Sequence, residues 1–168
     1  KPENYSTTPF PQKWSTEEYT KTAGYVSLDQ VDFIAKTPTD ILALDINNVR
    51  IDDIIWVTSE KNSWNVYQHI LVPNRVLSFT KTDTGFDLQF DSIPEIEAGE
   101  IFGLKFVDDG VDGFYKAETV SSTVVSVTAD VTSEDFYDLS DSTNGAITKL
   151  LSKRYDTPDG VNNDLNTY

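Results

Sequence analysis

The chain has 168 residues and carries 28 acidic against 13 basic side chains, which gives a formal net charge of -15 at pH 7. A charge of that sign repels phosphate backbones and anionic lipid surfaces, so nucleic acid and membranes are disfavoured as partners. Cysteine and methionine are both absent, which excludes disulfides and thiol catalysis. Because the chain starts at Lys1 without a methionine, we expect a segment of a longer polypeptide, the alternative being a processed product.

Residues 1–40 are predicted to form an extended arm, with a strand at 25–35. The prolines near its start oppose a helix, and the stretch is too polar to bury its own aromatic residues. We interpret these aromatics as anchors that bind a neighbouring subunit, the alternative being a loose terminal tail. The anchors are Tyr5, Phe10 and Trp14.

A short helix is predicted after this arm. Thr37 suits the cap, Pro38 suits the first turn, and Asp40 lies where the helix dipole favours an acid. The helix should reach about Leu44, before the Asn47-Asn48 pair.

Residues 41–130 are predicted to form the β domain. Seven short strands are separated by turn-rich connections: residues 54–57, 64–70, 76–80, 86–90, 100–107, 114–120 and 123–127. This order predicts a mainly β fold, an antiparallel meander closed as a small barrel or sandwich, and residues 99–127 are similar to the back half of an SH3-like barrel. The side chains expected to point inward are Trp64, Val66, Phe86, Leu88, Phe90, Phe102, Leu104 and Phe106.

Residues 131–168 are predicted to be a polar tail with one short helix at about 146–155. Apolar side chains recur there at helical spacing, and basic residues occupy the last turn. The apolar positions are Ile147, Leu150, Leu151 and Tyr155.

His69 has no serine or cysteine partner at a recognisable spacing. We therefore interpret it as a surface or barrel-rim residue, because neither a Gly-x-Ser-x-Gly motif nor a second histidine indicates a catalytic triad. No catalytic residue is predicted, and we expect the chain not to be an enzyme.

Asp108, Asp109 and Asp112 crowd a glycine-bearing turn. Carboxylate and carbonyl oxygens in such a loop suit calcium, but aspartate and glycine are also ordinary turn residues. We favour the turn and predict no cofactor, with calcium as the alternative. A second cluster has the same two interpretations: Asp45, Asn47, Asp52 and Asp53.

Trp56 and Trp64 flank a predicted hairpin loop. Tryptophans on facing strands are more often core residues, but two exposed rings could stack on sugars. An alternative function is therefore a carbohydrate-binding β module of a secreted or surface protein, which would be extracellular.

Three stretches carry a resemblance to a known group: TAGYVSLDQVDF at 22–33, DIIWV at 53–57 and WNVY at 64–67. They resemble stretches of very large virion structural proteins of tailed bacteriophages, especially marine ones, over about residues 20–127. The resemblance implies a tail, baseplate or fibre-associated protein in the virion. Its expected partners are other virion structural proteins, with several copies in one assembly.

Overall fold

A computed structural model describes residues 25–27, 31–59, 66–141 and 143–156. The predicted arm anchors and Trp64 lie outside these ranges. The described residues form two compact units, the first with 25–27, 31–37, 53–59, 66–68 and 151–156, and the second with 38–52, 69–141 and 143–150.

Strands dominate the described regular structure, so the predicted mainly β class is confirmed. No helix among the described residues has the length and apolar content to span a membrane. The helices are α1 (Pro38–Ile41) and a 3₁₀ helix (Ile46–Asn48). The strands are β1 (Tyr25–Ser27), β2 (Phe33–Ala35), β3 (Ile54–Val57), β4 (Val66–Leu71), β5 (Val76–Lys81), β6 (Gly85–Phe90), β7 (Ile101–Lys105), β8 (Gly113–Lys116), β9 (Thr119–Ser121), β10 (Val124–Thr128), β11 (Phe136–Asp138) and β12 (Ala146–Asp156).

In the first unit β3 pairs in parallel with β2 and antiparallel with β4, while β1 pairs in parallel with the end of β12. Asp32 fixes the start of β3, because its backbone N–H donates to the Ile54 carbonyl and its carboxylate accepts the Ile54 N–H, both at 2.9 Å. A small apolar cluster forms beside this bond from Ile54, Val66, Val31 and Trp56.

The second unit contains two groups of paired strands. In one, β7 pairs with β8 and with the first residues of β12, all antiparallel. In the other, five strands lie in the order β11, β5, β6, β10, β9. Side chains from both groups meet in one core, as expected for two sheets packed face to face.

Residues 117 and 118 carry the chain from one group of strands to the other. The Ala117 N–H donates to Glu100, at the start of β7, whereas the Glu118 N–H donates to Ser126 in β10. The predicted strand at 114–120 is therefore split into β8 and β9, and each half joins a different sheet.

Aromatic rings fill the centre of this core. Phe86 stacks on Phe79 at 4.7 Å between centroids and meets the edge of Tyr115 at 4.9 Å. Most of the predicted inward residues are confirmed as buried: Val66, Phe86, Leu88, Phe90, Phe102 and Leu104.

Phe106 was predicted to point inward, and this prediction is wrong. Its side chain is 59% exposed, and its backbone has a φ of 65°. Because β7 ends at Lys105, the alternation of the strand does not extend to Phe106, and the left-handed backbone turns its side chain outward.

The helix predicted at about 146–155 is also wrong, because these residues lie in β12. Positions 147 and 151 share a face in a helix and in a strand alike, so the apolar pattern does not exclude a strand, and pairing with β7 decides the outcome. The helix predicted at 38–44 is confirmed only at its start. Beyond Ile41 the chain continues as turns, with bonds such as Leu44 N–H to the Ile41 carbonyl.

Candidate functional site

His69 is buried, with 2% of its surface exposed, so its prediction as a surface or rim residue is wrong. Its Nε2 lies 2.6 Å from the Thr148 hydroxyl and its Nδ1 lies 3.0 Å from the Arg50 carbonyl oxygen. A carbonyl can only accept, so Nδ1 carries the proton. In the neutral ring, Nε2 then accepts a hydrogen bond from the Thr148 hydroxyl.

This order of hydroxyl, imidazole and acceptor matches the parts of an activated nucleophile. The two side chains are buried and closely packed, however. Thr148 is only 4% exposed, and a Cβ added to Gly103 would lie 2.2 Å from its hydroxyl oxygen. The Phe114 ring meets the imidazole edge-on at 5.4 Å. The arrangement therefore suits a buried polar link between β4 and β12 rather than a reacting centre.

Replacing Thr148 tests this link. We expect Thr148→Val to lower the free energy of unfolding by about 1–3 kcal/mol, because it leaves a buried imidazole nitrogen without a donor. Thr148→Ser keeps the hydroxyl and should lose less than about 1 kcal/mol. Urea denaturation of both variants checks this, and a Val variant as stable as the Ser variant would contradict it.

Asp112 organises the loop between β7 and β8. Its carboxylate accepts the backbone N–H groups of Phe106, Val107 and Asp108 at 3.0, 2.9 and 3.1 Å. Both carboxylate oxygens are used in this way, which is the ordinary role of aspartate in a turn. The exposed phenyl ring of Phe106 is thus held at a fixed point of the loop.

One further acid in each predicted cluster, Asp108 and Asp45, accepts a local backbone N–H. Asp108 accepts the Asp109 N–H at 3.0 Å and the Tyr137 hydroxyl at 2.9 Å. Asp45 accepts the Asn47 N–H at 2.9 Å and so caps the 3₁₀ helix. In the described ranges, no group of three or more His, Cys, Asp or Glu side chains is arranged to hold a metal ion.

Removing the Asp112 carboxylate should disturb the loop. We expect Asp112→Ala to lower the free energy of unfolding by about 2 kcal/mol, because three backbone N–H groups lose their charged acceptor and only water can replace it. Asp112→Asn keeps one acceptor oxygen and should lose roughly half as much. Thermal unfolding distinguishes the two, and unchanged melting of the Ala variant would show that the loop forms without the carboxylate.

Tyr115 gives the fold a dependence on alkaline pH. Burial and the nearby Asp112 charge raise its pKa from 10.0 to about 12. As the pH rises above 10.0, the unfolded chain therefore releases this proton while the folded chain keeps it. Stability should fall between these two pKa values. Denaturation from about pH 9 to 12 measures the fall. Tyr115→Phe should flatten it, and an equally steep fall in that variant would contradict the assignment.

Trp56 lies in β3, half-buried, and packs against the cluster of Ile54 and Val66. The structure does not describe Trp64, so the carbohydrate-binding alternative stays a prediction. The buried hydroxyl of Thr148 was missed by sequence reasoning. It lies 79 positions from His69, and no local motif links the two.

The described part of the chain is therefore mainly β, and the histidine and loop carboxylates of its second unit are bonded within that unit. No family model and no curated protein matches the chain. Among solved structures, the crystal structure of the Pseudomonas phage phi297 tailspike gp61 is similar over 49% of this chain and 14% of that one. Sequence identity is 16% and the TM-score is 0.34, at which the two chains are not shown to share a fold.

Proposed function

We propose that this chain is a non-catalytic structural protein of a phage virion that joins components of a tail or baseplate. The non-catalytic role is inferred from its reactive side chains, which are hydrogen-bonded to other groups of the same fold. Both nitrogens of His69 are hydrogen-bonded in the core, and both oxygens of Asp112 are bonded to loop backbone. Side chains held in this way contribute to a rigid scaffold.

The virion part of the proposal rests on the resemblance at residues 22–33, 53–57 and 64–67. Within its described positions, residues 54–57 and 66–67 lie in the paired strands β3 and β4, in keeping with the hairpin that the resemblance implies. The net charge of -15 indicates the kind of partner, because it favours association with basic protein surfaces. Exposed ion pairs contribute only about 0–1 kcal/mol each, so affinity requires apolar contacts as well.

Ile93 offers one such contact. It is 70% exposed on the loop after β6, and Asn74 holds this loop with three hydrogen bonds, to Ser92, to the Ile93 carbonyl and from the Glu95 N–H. Ile96, three positions further on, is buried in the core and anchors the loop. Burying an isoleucine contributes about 1.5–3 kcal/mol, and a loop that is already ordered loses little entropy on binding.

The experiment is quantitative peptide mass spectrometry of density-purified particles from the source of this chain. We expect its peptides in a fixed ratio to a major tail protein, and a chain found only in the soluble fraction would overturn the virion assignment. Ile93→Asp should reduce incorporation into particles, whereas the matched change at another exposed isoleucine, Ile51→Asp, should not. Equal incorporation of both variants would remove Ile93 from the interface while leaving the virion assignment standing.

The carbohydrate-binding alternative makes a different prediction. It requires binding on a glycan array that disappears in Trp56→Ala while the fold survives. The half-buried position of Trp56 beside Ile54 and Val66 favours a packing role, so we expect no glycan binding.

A further inference from the structure

The sequence contains one Asn-Gly pair, Asn144-Gly145, in the turn that leads into β12. Asn144 is exposed, and its backbone N–H donates to the Asp141 carbonyl at 3.0 Å. Its carboxamide has no hydrogen-bond partner among the described residues. An exposed, unrestrained carboxamide followed by glycine is the arrangement in which the next backbone nitrogen can attack the side chain.

We propose that Asn144 is a site of spontaneous deamidation, and that opening of the hydrogen bond between Gly145 and Phe106 controls its rate. In this reaction the Gly145 nitrogen loses its proton and forms a bond to the Asn144 side-chain carbonyl carbon. The C–N bond of the carboxamide breaks and ammonia leaves, which gives a five-membered succinimide. One water then opens the ring to aspartate or isoaspartate, so no oxidant, reductant or cofactor is needed.

The folded turn restrains the attacking nitrogen. The Gly145 N–H donates to the Phe106 carbonyl at 3.0 Å, so it must break this bond before it can lose its proton. The glycine itself is fixed by a φ of 74° and by close packing, because an added Cβ would lie 2.8 Å from the Val76 side chain. Attack therefore requires the turn to open locally, and such openings occur at free energies well below that of global unfolding.

Modification should change the protein in two measurable ways. Isoaspartate adds one methylene to the main chain at residue 144, two positions before Ala146, whose pairing with Lys105 begins the register of β12 on β7. Either product also adds a carboxylate close to Asp141 in a chain that is already acidic. The modified fraction should therefore bind an anion exchanger more tightly, and its isoaspartate component should melt at a lower temperature.

The test is incubation of the full chain at mildly alkaline pH, folded and in denaturant at one temperature, followed by anion exchange and peptide mass spectrometry. We expect conversion of Asn144 in both samples, about tenfold slower in the folded one, which corresponds to about 1.4 kcal/mol for opening the turn. The acidic species should be absent in Asn144→Gln, because attack there would require a larger ring.

Three results would overturn the proposal. Equal rates in the two samples would show that the Gly145 hydrogen bond does not control the reaction. No conversion in denaturant would show that the pair is unreactive. The folded sample is incubated for the time in which a reaction tenfold slower than that in denaturant would be half complete. If Asn144 is not converted in that time, it is excluded as a site in the native protein.

Discussion

Phe86→Ala is expected to lower the free energy of unfolding by about 3–5 kcal/mol, the largest loss among the single substitutions considered. The Phe86 side chain is fully buried, stacked on Phe79 at 4.7 Å and in edge contact with Tyr115 at 4.9 Å. Truncation removes both ring contacts and leaves a cavity at the centre of the second unit. Urea denaturation monitored by circular dichroism measures the loss.

The control for this substitution is a phenylalanine on the outer surface. Phe136 lies in β11 and is 56% exposed, so Phe136→Ala should lose less than about 1 kcal/mol. Comparable losses in the two variants would contradict the description of the core.

Gly85→Ala is expected to destabilise the protein by about 3 kcal/mol, at the upper end of typical overpacking. An added Cβ would lie 1.9 Å from the Val127 carbonyl oxygen and 2.9 Å from the Ala129 nitrogen. Both are backbone atoms, so relief requires β10 to move away from the start of β6. The Ala129 N–H, which donates to the Thr84 carbonyl at 3.0 Å, would lose its partner.

Gly113→Ala is the matched control, because the nearest atom to its added Cβ is the Tyr115 hydroxyl oxygen at 3.7 Å. That distance is ordinary contact, so the stability of this variant should change by less than about 1 kcal/mol. If Gly85→Ala melts at the same temperature as Gly113→Ala, the approach of β10 to β6 is looser than the structure shows.

The strands that could be predicted from the sequence are those in which apolar and polar side chains alternate. In β6, apolar side chains alternate with Asp87 and Gln89, and this period fixes both the strand and its buried face. In the stretch from Ala146, positions 147 and 151 share a face in either a helix or a strand, so its pairing with β7 decides that it is a strand. That pairing joins residues more than forty positions apart, which no local pattern reveals.

The role of His69 could not be predicted for a similar reason. Its burial depends on Thr148, on the Arg50 carbonyl and on the Phe114 ring, which come from distant parts of the chain. The acidic turn at 108–112 was easier, because aspartate followed by glycine favours a turn wherever it occurs. Sequence did not show which carboxylate would organise the loop, and the structure assigns that role to Asp112.

The most direct test of the central claim, that the reactive side chains are held inside the fold, is carbethoxylation of His69 by diethyl pyrocarbonate. The chain has a single histidine, so the absorbance band of carbethoxylated imidazole reports this residue alone. With 2% of its surface exposed and both nitrogens hydrogen-bonded, His69 should resist the reagent in the folded protein and react rapidly in denaturant. Labelling of the folded protein at the rate of the unfolded chain would contradict the claim and restore His69 as a candidate catalytic base.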